Sequence, residues 1–330
     1  MITLKRISYE ERVKIEFLHN GQASAETIAK AIGRDPSSVY RELARFPQSY
    51  TAEKAHAQAK ANAGKRNKRH KLVYNKKLFK YVRRKLKLYW SPCQISEMLP
   101  IDFPMDNNMR ASHETIYTYI YLLARGELKR ELIKYLRQGK QSRYKKRNKD
   151  TERRGKIPDI VSIEERPAIV SHRSIAGHWE GDLIIGKGHK SALGTIVERK
   201  TRAVIMVPLK SKDALSVRKA FEKELLKLPA QMRQSLTYDN GHEMTEHKLF
   251  TANTKVKVYF AHPYSPWERG TCENTNGLIR QFFPKGTDFS KVSRKEIKKV
   301  QKLLNERPRK VLGFKTPKEV FEDEILKICG

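Results

Sequence analysis

Between His178 and Phe283 the chain runs through strand-like and helix-like patterns in an order that few folds accommodate. "HWEGDLIIG", "ALGTIVERK" and "RAVIMVPL" read as three strands, joined by "KGHKS" and by the tight Lys200–Thr201 connection. Connections that short predict an antiparallel meander. From Asp213 to Leu228, apolar residues at Leu215, Val217, Phe221, Leu225 and Leu228 predict a helix. A strand "SLTYD", a helix near Glu243 to Asn253, a strand "VKVYFA" and a helix from about Thr271 to Phe283 follow.

That succession, β-β-β-α-β-α-β-α, predicts a ribonuclease-H-like α/β domain. In such a domain the first and fourth strands are neighbours. Asp182 is expected to end the first strand-like run and Asp239 the fourth, so the two fall side by side. Glu273, with thirty-three residues between it and Asp239, rides on the last helix. Crowded carboxylates repel one another unless a cation neutralises them. Mg²⁺ takes oxygen ligands, typically a few carboxylates plus water and phosphate oxygens. A pair of such ions activates an attacking oxygen and stabilises the leaving one at phosphorus. Glu180 shares the side-chain parity of Asp182; it ranks behind the three, as do Glu198, Glu243 and Glu246.

The chain around these acids is strongly basic. Among 330 residues, Lys and Arg outnumber Asp and Glu by 69 to 36, a net charge of +33. Such a balance suits a polyanionic partner, because each cation on a phosphate releases condensed counterions. No apolar run reaches the length of a membrane span and no apolar signal core opens the chain. Three scattered cysteines, Cys93, Cys272 and Cys329, form neither a disulfide framework nor a zinc motif. A soluble, cytoplasmic protein is expected.

The first half is patterned as helices. Ile7, Val13, Ile15, Phe17 and Leu18 mark an apolar face on the first, Ser24 caps a second carrying Ile28, Ala29 and Ile32, and "GRDPSS" turns into a third. With Val39 and Leu43 inward, Ser37, Ser38, Tyr40, Arg41 and Arg45 face out, as in a helix-turn-helix whose second helix reads the major groove. Lys54 to Ser96 holds no acid and fourteen basic residues, which reads as a phosphate-tracking linker. A second helix-turn-helix candidate combines "SPCQISEML", capped at Ser91 with Ile95 and Leu99 inward, with "ASHETIYTYIYLLARG". In the latter Ser112 caps, Ile116, Ile120 and Leu123 recur at helical spacing, and Ser112, His113, Thr115 and Tyr117 are candidates for DNA contact. The loop from Pro100 to Arg110 is long for such a unit. The expected plan is a first DNA-binding module over 1–53, a basic linker over 54–87, a second module over 88–128, another basic linker over 129–165 and the catalytic domain over 166–330.

Around the acids, Asn276 and Arg280 share the face of Glu273 and are expected to contact the scissile phosphate or its flanks. "PYSPWERG" reads as an active-site loop, in which Tyr264 and Trp267 are candidates for stacking on a displaced base and Arg269 lies beside them; a core plug is the competing role for Trp267. His178 and Trp179 read as structural.

"GHWEGDLIIGKGHKSALGTIVERKTR", "YDNGHE", "YSPWERGTCENTNGLIRQFFPKGTDF" and "LNERPRKVLGFKTPKEVF" closely resemble the insertion-sequence-thirty family of bacterial transposases, and "AETIAKAIGRDPSSVYREL" and "SHETIYTYIY" fit its paired helix-turn-helix modules. The resemblance spans nearly the whole chain. It implies a DDE triad of Asp182, Asp239 and Glu273, Mg²⁺ as cofactor with Mn²⁺ as substitute, two ions per site, and strand cleavage followed by attack of the freed 3′-hydroxyl on target DNA. Double-stranded DNA, as terminal inverted repeats and target, is the expected partner, and action on two ends implies a homodimer or higher oligomer. Cys272 stands where the family usually has Asn, and His242 where Lys is common. A DNA-binding repressor and a nuclease that cuts without joining are the alternatives.

Overall fold

The computed structural model describes residues 6–65, 70–137, 157, 159–209, 211–263 and 265–329. The chain divides into two compact units, 1–74 and 75–330.

In the first unit α1 (Tyr9–Asn20), α2 (Ala25–Ile32) and α3 (Pro36–Leu43) form a bundle, followed by α4 (Ala52–Lys65) and the single turn α5 (Lys71–Tyr74). Local chemistry sets the helix starts. Ser8 and Glu11 exchange a reciprocal capping box, Ser24 Oγ accepts from the Thr27 N–H, and Asp35 accepts from the Ser37 N–H with Pro36 at the first helical position. Gly33 closes α2 at φ 65°, a left-handed conformation that a side chain disfavours. Ile15, Ile28 and Val39 form the core. Two residues expected there are not: Val13 is 45% exposed and Phe17 78%. The buried side of α1 is shared instead with Arg12, whose Nε donates to Glu42 on α3 at 2.6 Å with both side chains buried. Apolar periodicity carries no trace of such a pair. Part of the stretch read as linker is α4, whose Ala52 and Ala55 are buried and whose Ala52 N–H donates to Glu16.

The second unit opens with α6 (Lys76–Lys87), α7 (Pro92–Asp102), α8 (His113–Thr118) and α9 (Gly126–Lys134). The basic linker expected up to residue 87 is here a helix: Leu78, Tyr81, Val82 and Leu86 are buried along one side. Its charge run is the wet face of an amphipathic element. α7 starts with the expected Ser91 cap, a capping box with Gln94, and buries Ile95 and Leu99. It runs on through Pro100, so the loop begins at Phe103. Ile116 and Ile120 are buried as expected, but a π-helical turn over Tyr119–Leu123 adds a residue to the period and leaves Leu123 42% exposed. α9 occupies the beginning of the second expected linker; its stretches 138–156 and 158 lie outside the described residues.

A five-stranded sheet follows, in the order β3-β2-β1-β4-β5. β1 (His178–Ile185), β2 (Ala192–Glu198) and β3 (Val204–Pro208) are the antiparallel meander, while β4 (Ser235–Tyr238) and β5 (Lys257–Phe260) add in parallel. α10 (Ala214–Leu225) and α11 (His247–Thr254) cover one face; α12 (Gly270–Ile279) and α13 (Arg294–Asn305) cover the other. α14 (Pro317–Cys329) brings Phe321 against the first of these cores. Leu215 of α10, expected inside, is 44% exposed, whereas Val217, Phe221 and Leu225 are buried. Strand alternation divides the side chains: Trp179, Leu236 and Tyr238 go to the α10 side, Ile184 to the α12 side. Gly181 makes room for this, since a Cβ there would stand 2.7 Å from Tyr238 Cδ2.

Candidate active site and DNA-facing helices

β1 and β4 pair in parallel with Glu180 opposite Thr237. Carried two residues further, the same register sets Asp182 across from Asp239. Both have the parity of Ile184, so both emerge on the α12 side of the sheet. Arg269, just before α12, stands between them: Nη2 is 3.2 Å from Asp239 Oδ2 and Nη1 3.6 Å from Asp182 Oδ1, and Nη1 also donates to the Gly181 carbonyl. Asn276 of α12 donates from Nδ2 to Asp182 Oδ2 at 2.8 Å, and its Oδ1 accepts from the Thr195 hydroxyl on β2. Burial pushes the Asp182 carboxyl up; the Arg269 charge opposes that and the Asp239 charge adds to it.

Glu273 is not drawn into this network. Its side chain is exposed on the first turn of α12, and it makes no hydrogen bond or ion pair among the described residues. Nor do three or more His, Cys, Asp or Glu side chains among the described residues stand close enough to hold an ion. The helix itself is firmly seated. Glu180 is fully buried; its Oε1 accepts from Arg199 Nε at 3.0 Å and its Oε2 from the Cys272 N–H at 2.8 Å. That N–H is one of the orphan donors of a helix start, where a carboxylate is favoured. Glu180 therefore ties α12 to β1 immediately before Glu273. Cys272 faces the core, fully buried beside Thr195, with its thiol pushed well up by burial.

Arg280, expected to contact the scissile phosphate or its flanks, is held within the domain. Its Nη2 donates to the Ile185 carbonyl at 2.9 Å and its Nη1 reaches the carbonyls of Phe283 and Pro284, closing the end of α12 onto β1. Trp267 is 73% exposed and plugs no core; Tyr264 lies outside the described residues. Trp179 is structural, fully buried with Nε1 donating to the Met232 carbonyl, and His178 bonds Ser235 Oγ at 2.8 Å.

On α3, Ser37, Tyr40 and Arg41 are exposed and Ser38 is half-buried; Arg45 is exposed past the helix end. Arg41 donates to the hydroxyl and carbonyl of Ser37, Tyr40 to Glu26, and Arg45 pairs with Glu42. In the second unit Ser112 and His113 are exposed at the start of α8, Thr115 is half-buried with its N–H donating to Ser112 Oγ, and Tyr117 stacks on Tyr121.

Two families match the chain, a helix-turn-helix domain over residues 4–45 and an integrase core domain over residues 172–266. The transposase for insertion sequence element IS1086 of Cupriavidus metallidurans is 44% identical over 320 residues, covering 96% of this chain and 94% of that one. Transposase InsI for insertion sequence element IS30A of Escherichia coli is 42% identical over 320 residues, 96% of this chain and 83% of its own. The chain belongs to the IS30 family of transposases. The transposase for element IS4351 of Bacteroides fragilis is also 42% identical, over 97% of both chains. Among solved structures, the catalytic core of BIV integrase aligns with 46% of this chain and 99% of its own at 18% identity and a TM-score of 0.36.

As an IS30-family transposase, the protein is a phosphoryl-transfer enzyme acting on DNA through an integrase core, a core that depends on divalent metal. The donor chemistry here fits such an ion: two carboxylates on neighbouring strands already share one cation, the Arg269 guanidinium. No helix among the described residues is long and apolar enough to cross a membrane. Two features of the site had no sequence signal. Arg269 bridges the aspartates instead of serving only the loop. Glu243, ranked low, folds back over its own turn, where a Cβ on Gly241 would meet its Oε1 at 2.4 Å; burial pushes its carboxyl up, with Asp239 and Asp182 adding.

Proposed function

We propose that this transposase binds the terminal inverted repeats of its insertion sequence, hydrolyses the phosphodiester at the element's end and transfers the freed 3′-hydroxyl into target DNA, with Asp182, Asp239 and Glu273 as its DDE triad. The proposal rests on the parallel pairing of β1 with β4, which sets Asp182 beside Asp239 beneath the helix that bears Glu273. These three carboxylates would hold Mg²⁺, or Mn²⁺ in its place, with two ions per site. Bound there, such ions would activate the attacking oxygen and stabilise the charge that develops on the leaving one in an in-line displacement. The protein's own groups supply position. Asn276 holds one oxygen of Asp182 and Arg269 keeps the two aspartates facing a common point. Glu180 fixes the helix start and hence the reach of Glu273. Fixed donors and acceptors of this kind need no reorganisation during reaction.

In the first unit, α3 presents Ser37, Ser38, Tyr40, Arg41 and Arg45 to the major groove; in the second, α8 presents Ser112, His113, Thr115 and Tyr117. Trp267 is placed to stack on a base freed from its partner. Work on two element ends calls for a homodimer or a larger assembly.

The test is incubation with a labelled inverted-repeat duplex, Mg²⁺ and target DNA. Joined product is expected, and Asp239→Asn should abolish it while leaving DNA binding intact. Cutting without joining would make the protein a nuclease; binding without cleavage, even with Mn²⁺, would leave a repressor. Cleavage that survives Asp239→Asn would overturn the triad.

A further inference from the structure

Four arginines gather on the side of α12 turned away from the aspartates. Arg202 donates from Nη1 to Thr271 Oγ1 at 2.8 Å, Arg137 from Nη2 to Asn274 Oδ1 at 2.9 Å, and Arg307 from Nη1 to Gln281 Oε1 at 2.9 Å. At the helical period Thr271, Asn274 and Gln281 share one side of α12 and its exit, whereas Arg269, Glu273 and Asn276 share another. Arg309 completes the group through a bond from Nη2 to the Leu304 carbonyl. Arg307 also donates to Gln94. Every one of these acceptors is a neutral oxygen.

The group is graded from solvent inward: Arg137 is exposed, Arg202 and Arg309 are half-buried, and Arg307 is 3% exposed. The Nε atoms of Arg202 and Arg309 are buried with no partner among the described residues. Burial holds Arg309 down to about 10, with the charges of Arg137 and Arg202 adding, and Arg307 down to about 9, with Arg309 and Arg137 adding. The acids near Arg202 are already engaged, Glu180 by Arg199 and the Cys272 N–H, and Glu198 by the N–H groups of Gly177 and Thr201. Buried like charges without a counter-charge are strongly unfavourable, and unpaired guanidinium donors call for an acceptor.

We propose that Arg137, Arg202, Arg307 and Arg309 form a phosphate site that takes one backbone phosphodiester of bound DNA. Planar guanidinium forks match phosphate oxygens in pairs. Thr271 and Asn274 flank Glu273 in the chain, so a phosphate held here anchors the strand within one helical turn of the proposed catalytic carboxylate. The site rests on the DNA-processing function proposed above, but its test reads binding and not cleavage, so the two fail separately.

The full-length protein is compared with Arg137→Gln, Arg309→Gln and the double variant. Melting temperature is measured in inorganic phosphate and in NaCl at matched ionic strength, and affinity for an inverted-repeat duplex by anisotropy across a salt series. Phosphate should raise the melting temperature of the wild type above the NaCl value, and the double variant should lose that increment. Without phosphate, Arg309→Gln should melt no lower than wild type, because a repulsive charge has gone. The double variant should bind duplex about tenfold more weakly, and its slope of log affinity against log salt should fall by about one. An unchanged phosphate increment would overturn the site. A lower melting temperature with an unchanged salt slope would make the arginines structural, and a lost increment with unchanged DNA binding would make the ligand a free anion; either result overturns the proposal. Should Arg309→Gln fail to fold, the exposed Arg137→Gln carries the same comparison.

Discussion

Glu180 and Asp182 sit two residues apart on one face of β1, yet they do unlike work. Glu180 is sealed in a pair with Arg199, their side chains 0% and 5% exposed, and its second oxygen holds the α12 backbone. Glu180→Ala would strand the Arg199 charge and free the helix start. Denaturant unfolding should show a loss of about 3–5 kcal/mol, and strand cleavage should fall although Asp182, Asp239 and Glu273 remain. A variant that unfolds like wild type would show the pair to be dispensable. His178, the first residue of the same strand, gives a pH dependence. Burial pushes its imidazole below the ordinary value, with Arg199 and Arg166 adding. As pH falls through about 6.5 the unfolded chain takes up a proton first, so the folded state loses this contribution below that value and keeps it in full above. The stability difference between wild type and His178→Gln should therefore shrink from pH 7.5 to pH 5. A constant difference would mean that His178 titrates alike in both states.

At the scale of elements, the exposed edge of the sheet is guarded by α13. Asn305 accepts from the Val204 N–H and donates to the Val204 carbonyl, both at 2.9 Å, and Gln301 accepts from the Met206 N–H. A helix side chain thus takes the place of a sixth strand and blunts an edge open to pairing with another chain. Asn305→Ala should cost about 1–3 kcal/mol in thermal or denaturant unfolding and should raise light scattering near the transition. No change in either would locate the edge protection elsewhere. The elements also show where sequence patterns stop being legible. Ser24, Ser91 and Ser112 announce their helices because a cap acts through its immediate neighbours. α6 was hidden because its lysines and arginines outnumber its buried Leu78, Tyr81, Val82 and Leu86. Leu123 leaves the buried face because a π-helical turn breaks the period that the flanking helix sets.

On the scale of the molecule, the helical layer that precedes the sheet belongs to the catalytic unit. Gln94 donates to the Pro308 carbonyl and accepts from Arg307 Nε, and the rings of Tyr89 and Phe282 are centred 4.3 Å apart. A boundary at residue 166, as patterning suggested, would cut through these contacts. A fragment of residues 75–330 should melt in one cooperative transition, whereas 166–330 should melt at lower temperature or aggregate on calorimetry. Equal stability of the two fragments would show the helical layer to be a separate body.

By itself the amino-acid sequence determined the order of strands and helices, the caps, and three acids on separate elements, because alternation, helical period and capping are local properties of a chain. Asp182, expected to end its strand, lies inside β1, which pairs with β2 as far as Ile185. The parallel β1–β4 register then followed, and with it the meeting of Asp182 and Asp239. Only the tertiary structure decided that Arg269 stands between those aspartates, that Glu180 holds α12 in place, that Arg280 closes the helix end, and that four arginines collect behind it. These are contacts between residues far apart in the chain. A long, charged side chain has many places to go, and burial and competing partners select one only when the whole domain is assembled.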